Sequence, residues 1–187
     1  MTIPALALVV VLVTMLGELW LSKRNERELL ARGAIEPPDP VYASMRWQYP
    51  FVFLLMAAGG MLRSAGIDWW LIDTRPLGWW TWLGAAVFGL GKGLKYWAIT
   101  TLGERWTYRV LVLPGAPLVA GGPYRWMRHP NYAGVVGELI GMMLLTSAWT
   151  MGPVALLMFG TLLQRRIAAE NRALGLEYTE PHHGSRR

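Results

Sequence analysis

The sequence predicts an all-α integral membrane protein with about five transmembrane helices, the last two forming a C-terminal helical hairpin. Three observations point there. Of 187 residues, 53% are hydrophobic and only 16% are charged, whereas soluble domains carry about 25% charged residues. The apolar residues fall in long blocks, with Trp69, Trp70, Trp79, Trp80 and Trp82 beside the block edges, where the bilayer interface favours tryptophan. Lysine and arginine gather in alternate connections between the blocks.

The elements follow in order. Ile3 to Leu21 is nearly all aliphatic and spans, since about 20 residues cross the hydrocarbon core. It has no basic n-region and no small-residue cleavage site, so it is expected to be a retained helix rather than a signal peptide. Glu18 is placed at the interface. The polar residues from Ser22 continue the helix to a stop at Gly33, and Glu36-Pro37-Pro38-Asp39-Pro40 breaks it. Tyr49 to Leu62, extended back to about Met45, is the second span. Leu77 to Thr100 is the third. Its Gly84, Gly89, Gly91 and Gly93 admit close helix approach. Its Lys92 and Lys95 share a face, with Lys95 snorkelling to the cytosolic interface. Thr101 to Asn131 is the longest polar connection. Tyr132 to Trp149 is the fourth span, with Gly137 and Gly141 as a GxxxG face. Gly152-Pro153 reads as the reversal, and Val154 to Leu163 as the fifth span, which continues as helix to Arg172. The whole is expected to be one membrane domain: a two-helix region over 1–76, a core over 77–178 and a frayed tail over 179–187.

The positive-inside rule sets the orientation. Lys23, Arg24, Arg27, Arg32 and Arg46 lie in the first connection, Arg105, Arg109, Arg125 and Arg128 in the third, and Arg165, Arg166, Arg172, Arg186 and Arg187 in the tail. Only Arg63 and Arg75 fall on the opposite side. Five spans with the N-terminus outside and the C-terminus in the cytoplasm satisfy this pattern. The net charge of +6 is then a topology signal and not a nucleic-acid footprint. Cysteine is absent, which removes disulfides, thiolate metal sites and a cysteine nucleophile. His182 and His183 belong to the tail, no zinc-like spacing exists, and no GxGxxG follows a strand, so no metal and no Rossmann domain are expected.

Chemistry concentrates at the cytosolic side. Gly122-Pro123-Tyr124-Arg125-Trp126-Met127-Arg128-His129-Pro130-Asn131-Tyr132-Ala133-Gly134 gathers arginines, a histidine and tyrosines at a membrane boundary, a costly place for polar groups unless they bind something. A short hairpin makes the last two spans antiparallel neighbours, so Arg128 to Tyr132 is expected close to Arg165 to Glu170. Cations, imidazole, hydroxyl and carboxylate together suit a zwitterionic nucleotide-like cofactor. The alternative for Arg125 and Arg128 is orientation alone. For Glu138 it is structural pairing with Lys92 or Lys95, and both readings of Glu138 stay open.

The Gly122 to Gly134 run, with Pro117-Leu118-Val119 before it and Arg166-Ile167-Ala168-Ala169-Glu170-Asn171 after it, resembles the isoprenylcysteine carboxyl methyltransferase family over about 77–178. That resemblance implies an S-adenosylmethionine-dependent membrane methyltransferase with a cytosolic cofactor pocket. His129, Tyr132 and Gly134 would line the pocket and Glu170 would close it, within a candidate cofactor set of Tyr124, Arg128, His129, Pro130, Tyr132, Gly134, Arg166, Glu170 and Asn171. One departure is visible: Glu170-Asn171 stands where the family often has two glutamates.

Ser22 to Ala34 and Thr101 to Val110 also look like a bacterial branch associated with O-methylation of alkylpyrones and alkylresorcinols. This implies an inner-membrane enzyme whose lipophilic acceptor enters from the bilayer, favoured over a prenylcysteine-like carboxylate. A phenol or enol acceptor would benefit from a base or an oxyanion-stabilising cation, for which Arg105, Arg109 and Glu138 are the candidates. Sterol reductases carry a similar RHPNYxG segment, so an NADPH-dependent oxidoreductase is the rival enzyme, and a non-catalytic membrane scaffold is the third reading.

Overall fold

The computed structural model describes residues 2–67 and 78–176. The expectations for Trp69, Trp70, Arg75, His182, His183, Arg186, Arg187 and the 179–187 tail lie outside the described residues. The described residues form five α-helices: α1 (Ile3–Ala31), α2 (Tyr42–Ser64), α3 (Trp79–Leu102), α4 (Pro130–Thr146) and α5 (Met151–Ala173). Short 3-10 turns occupy Gly103–Arg105 and Gly122–Arg125.

The aliphatic run and the polar run after it are one helix, α1. It closes as expected at Gly33, whose φ of 83° suits glycine. Gly33 N–H donates to Leu30 O and Ala34 N–H to Leu29 O, both at 3.0 Å. This pair of bonds satisfies carbonyls that the helix end would orphan. α2 begins at Tyr42, ahead of the expected start, because Arg46 and Gln48 extend it beyond the apolar run. Among the described residues α1 alone is long and apolar enough, by length and composition, to cross a membrane. α4 is only 17 residues, and glycines, tryptophans and charges dilute the aliphatic content of α2, α3 and α5.

The reversal between α4 and α5 is not at Gly152-Pro153. α4 ends at Thr146 and is capped by Ser147, which adopts a left-handed φ of 52°, and α5 starts at Met151. Pro153 therefore sits in the first turn of α5, where its missing N–H costs nothing. Gly152 instead makes room for the Met143 side chain, 2.1 Å from where its Cβ would be.

α3 and α4 form the most intimate pair, and they run antiparallel. A Cβ at Gly84 would lie 2.4 Å from Leu145 N, and one at Gly91 would lie 2.7 Å from Glu138 N. From the other side, Gly141 faces Phe88 N at 2.4 Å and Gly137 faces Gly91 Cα at 3.1 Å. The GxxxG face thus brings backbone onto backbone. Val11 of α1, Phe53 and Met56 of α2, Leu139 and Met142 of α4 and Phe159 of α5 fill the core.

The helices alternate in direction. At one end, Asn25 near the end of α1 donates to the carbonyls of Gly103 (3.1 Å) and Trp106 (2.8 Å) just after α3. Ser22 Oγ accepts from Tyr108 N–H at 2.8 Å, and Ile35 pairs with Val112 in an isolated antiparallel bridge. At the other end, Gly60 of α2 packs on Pro4 and Thr146, and Trp80 Nε1 donates to Ser147 Oγ at 3.0 Å. Leu6, Val13, Leu16, Trp20, Trp79, Trp82, Leu90 and Leu157 stand more than half exposed, so the outer surface of the bundle is broadly apolar. Large exposed apolar surface of this kind marks contact with lipid or another protein.

Candidate functional site

The end of the bundle where α4 starts and α5 finishes gathers the polar residues singled out from sequence. Pro130 is the first residue of α4, its fixed φ suited to that position, and His129 is the cap before it. This start aims His129 and Tyr132 at the last turns of α5. Tyr132 Oη donates to Glu170 Oε2 at 2.7 Å. His129 Nε2–H donates to Asn171 Oδ1 at 3.0 Å in the tautomer that satisfies both groups. The His129 and Tyr132 rings stack with centroids 5.6 Å apart, and His129 Nδ1 lies 3.8 Å from Glu170 Oε2. The Glu170 side chain is 29% exposed, and its Oε1 makes no hydrogen bond among the described residues, leaving an acceptor open to solvent or ligand.

Arg166 holds this cluster from below. It is buried, donates from Nε to Tyr132 Oη at 3.2 Å and from an Nη to the Tyr108 carbonyl at 2.5 Å, pairs with Asp39 and lies over the Tyr42 ring. Burial draws its pKa below the usual value, with Glu170 and Glu36 opposing. Its donors are committed to the protein, so Arg166 positions its neighbours. Tyr124, in the turn Gly122–Arg125, is half-buried. Burial first and Glu170 second raise its pKa, which keeps it a neutral donor.

Other candidates fall elsewhere. Arg128 is exposed and makes no ion pair among the described residues. Gly134 does not face the cluster: a Cβ there would meet Gly91 O at 2.8 Å and Lys95 Cβ at 2.9 Å, so it is a contact between α4 and α3. Arg105 donates to the Pro117 carbonyl at 2.5 Å, and Arg109 pairs with Glu36 at 2.5 Å. Both brace the connection between α3 and α4.

Glu138 lies in a second polar set, inside the bundle. Lys95 Nζ is 2.6 Å from Glu18 Oε2 and 3.5 Å from Glu138 Oε1. Lys92 Nζ is 3.2 Å from Glu138 Oε2 and 3.4 Å from Glu18 Oε1. Tyr49 Oη donates to Glu138 Oε2 at 2.7 Å and accepts from Lys95 Nζ at 3.2 Å. Tyr108 Oη donates to Glu18 Oε2 at 3.0 Å. Lys95 is 1% exposed, Glu138 0% and Glu18 3%, so Lys95 does not reach for water and Glu18 faces the interior of the bundle. An unpaired charge at that depth would be far costlier than one held in a balanced set. Tyr108 joins the two polar regions, binding Glu18 with its hydroxyl and Arg166 with its carbonyl.

Sequence reasoning missed Asp39 as the partner of Arg166, and Tyr49 and Tyr108 as members of the inner set. An acid between prolines, at Glu36-Pro37-Pro38-Asp39-Pro40, was the available signal for Asp39. An apolar groove of about 660 Å³ runs over α2 and is lined by Leu12, Ser44, Trp47, Gln48, Pro50, Phe51, Leu54 and Met158. None of its lining residues belongs to either polar set.

Comparison with known proteins bears on the same region. Residues 82–175 match the Isoprenylcysteine carboxyl methyltransferase (ICMT) family, a stretch that holds both halves of the His129–Glu170 cluster. A Bacillus subtilis (strain 168) protein described as "Uncharacterized protein YpbQ" is 31% identical over 169 residues, 90% of this chain and 95% of that one. A Haemophilus influenzae "Uncharacterized protein" is 29% identical over 93 residues, 49% of this chain and 54% of that one. No solved structure matches. The chain belongs to the isoprenylcysteine carboxyl methyltransferase family, a membrane-associated family of methyltransferases.

Proposed function

We propose that this protein is an S-adenosylmethionine-dependent membrane O-methyltransferase acting on a lipophilic acceptor of the alkylpyrone or alkylresorcinol class. The observation that carries the reading is the pairing of His129 with Asn171 and of Tyr132 with Glu170. It unites, inside the family-matched stretch, the two segments whose residue types suit a zwitterionic nucleoside. Glu170 Oε1 is available to ribose hydroxyls, Arg128 to the cofactor carboxylate, and the stacked His129 and Tyr132 rings to the base. The departure at Asn171 leaves a neutral hydrogen bond to His129 where a second carboxylate would add charge. Family membership supports methyl transfer over the hydride chemistry of a reductase.

The five helices would cross the bilayer in alternation, with the N-terminus outside and this cluster in the cytosol. The distribution of Lys and Arg and the apolar exterior of the bundle support that placement. The chemistry supplied by a bound S-adenosylmethionine is a sulfonium methyl group, passed on by in-line displacement. The protein's task is then to align two molecules and exclude water, and orientation alone contributes about 7–11 kcal/mol. The acceptor class rests on Ser22 to Ala34 and Thr101 to Val110, and these segments bond to each other through Ser22, Asn25, Gly103 and Tyr108.

Titration of detergent-purified His129→Ala and Glu170→Ala with S-adenosylhomocysteine tests the assignment. Each should bind at least tenfold more weakly than wild type. Unchanged affinity in both would remove these residues from the cofactor site.

A further inference from the structure

Positioning a cofactor at the start of α4 leaves Glu18, Lys92, Lys95 and Glu138 without a task. A buried ion set is rarely more stable than well-packed apolar side chains of the same volume, and ionisable groups inside a membrane bundle serve function by default. This set is charge-balanced and lies immediately inward of the cofactor cluster. Gly134, which follows Pro130 by one helical turn, packs directly on Lys95.

One arrangement within the set is suited to moving a proton. The Tyr49 hydroxyl sits between a carboxylate and an ammonium, donating to Glu138 Oε2 at 2.7 Å and accepting from Lys95 at 3.2 Å. Glu138 is fully buried, yet its Oε1 accepts no hydrogen bond and meets only the Lys95 ammonium, at 3.5 Å. As a whole residue Tyr49 is half-buried, whereas Glu138 and Lys95 are fully enclosed, so of these three it lies nearest the surface of the bundle. The charged and titratable groups facing Glu138 are Lys92 and Lys95 from α3 and Tyr49 from α2. Glu18 of α1 and Tyr108 lie behind the lysines, and the Tyr96 ring of α3 lies 5.7 Å from Lys92 Nζ. Among the described residues no titratable side chain of α5 bonds the set.

Building on the methyltransferase reading, we propose that Tyr49 and Glu138 form the acid–base unit of the reaction, and that the acceptor is a phenol or enol hydroxyl and not a carboxylate. As the acceptor oxygen bonds to the methyl carbon, the carbon–sulfur bond breaks and its electron pair stays on sulfur. The acceptor O–H proton passes to the Tyr49 oxygen while the Tyr49 proton moves to Glu138 Oε2. Lys95 steadies negative charge on the tyrosine oxygen during the transfer. The sulfonium charge disappears as the set gains one positive charge, so total charge inside the bundle is unchanged and no ion has to cross apolar surroundings. The proton returns to water before the next turnover.

The test uses the full-length protein in nanodiscs with a long-chain 5-alkylresorcinol as acceptor and S-adenosylhomocysteine as a binding probe. Glu138→Gln and Tyr49→Phe should bind S-adenosylhomocysteine as wild type does, while kcat falls about 100-fold or more. The loss should shrink as pH rises and the resorcinol ionises unaided. Infrared difference spectra across one turnover should show a carboxylic-acid C=O band in wild type and none in Glu138→Gln. Tyr49→Phe keeps every charge of the set, so it decides the question if Glu138→Gln does not fold. Wild-type rate and pH profile in a variant that binds S-adenosylhomocysteine normally would overturn the proposal, as would a rate loss that is the same at every pH. Failure of wild type to bind S-adenosylhomocysteine would instead overturn the methyltransferase reading beneath it.

Discussion

The Tyr132 hydroxyl donates to Glu170 Oε2 at 2.7 Å across 38 positions of sequence, fixing the first turn of α4 to the last turns of α5. The bond leaves Glu170 Oε1 without a hydrogen bond among the described residues while setting the direction of the whole carboxylate. A hydrogen bond to a charged group contributes about 1.5–3 kcal/mol. Tyr132→Phe should therefore weaken S-adenosylhomocysteine binding roughly tenfold or more, as measured by calorimetry, with far-ultraviolet circular dichroism unchanged.

The contact between α3 and α4 makes a sharp prediction because its glycines differ in what surrounds them. Gly91→Ala would drive a methyl group to within 2.7 Å of backbone at Glu138 and 2.8 Å of backbone at Gly134, whereas a Cβ at Gly89 meets nothing within 4 Å. Overpacking of this kind costs about 1–3 kcal/mol. Thermal melting in detergent should show a clear drop for Gly91→Ala and no drop for Gly89→Ala. Gly134→Ala should also lower the melting temperature, as expected for a packing residue.

Charge balance in the inner set can be tested by breaking and restoring it. Lys95→Met leaves Glu18 and Glu138 short of a cation and should destabilise the protein by about 3–5 kcal/mol. Adding Glu18→Gln restores neutrality and should recover a large part of that loss. A double-mutant cycle in chemical unfolding that shows simple additivity would mean the two side chains do not interact.

Alkaline stability follows from two tyrosines outside the five long helices. Burial, then Glu18, raises the pKa of Tyr108 above its usual 10.0, and burial, then Glu170, raises that of Tyr124. In the unfolded chain these tyrosines ionise near pH 10 while the folded protein holds their protons. The stabilisation is thus fully present below about pH 10 and is lost as pH rises above it. Melting temperature should be insensitive to these groups between about pH 7 and 9 and fall above 10, with a shallower fall in Tyr124→Phe.

Much of this organisation was legible in the sequence. The helices, the stop at Gly33 and the approach of His129 and Tyr132 to Glu170 follow from apolar blocks, one glycine and a short hairpin, all local signals. Lys95 shows where local signals end. Near the end of an apolar block, a lysine ordinarily reaches for water, and only the arrival of Glu18 from another helix makes burial cheaper. Pairing of Glu138 with Lys92 or Lys95 was one of the two readings the sequence left open, and both pairs are present; the second carboxylate, Glu18, had no local signal. Gly134 likewise sits in a motif that suggests a pocket, whereas its neighbours across the fold make it a helix contact. Asp39 binds Arg166 through a proline-rich connection whose path no periodicity specifies.

The central claim is that the cluster at the start of α4 and the end of α5 binds a sulfonium nucleoside. Calorimetric titration of the wild-type protein with S-adenosylhomocysteine and, separately, with NADPH tests it most directly. The account predicts saturable binding of S-adenosylhomocysteine and none of NADPH. Binding of NADPH alone, or of neither, would contradict it.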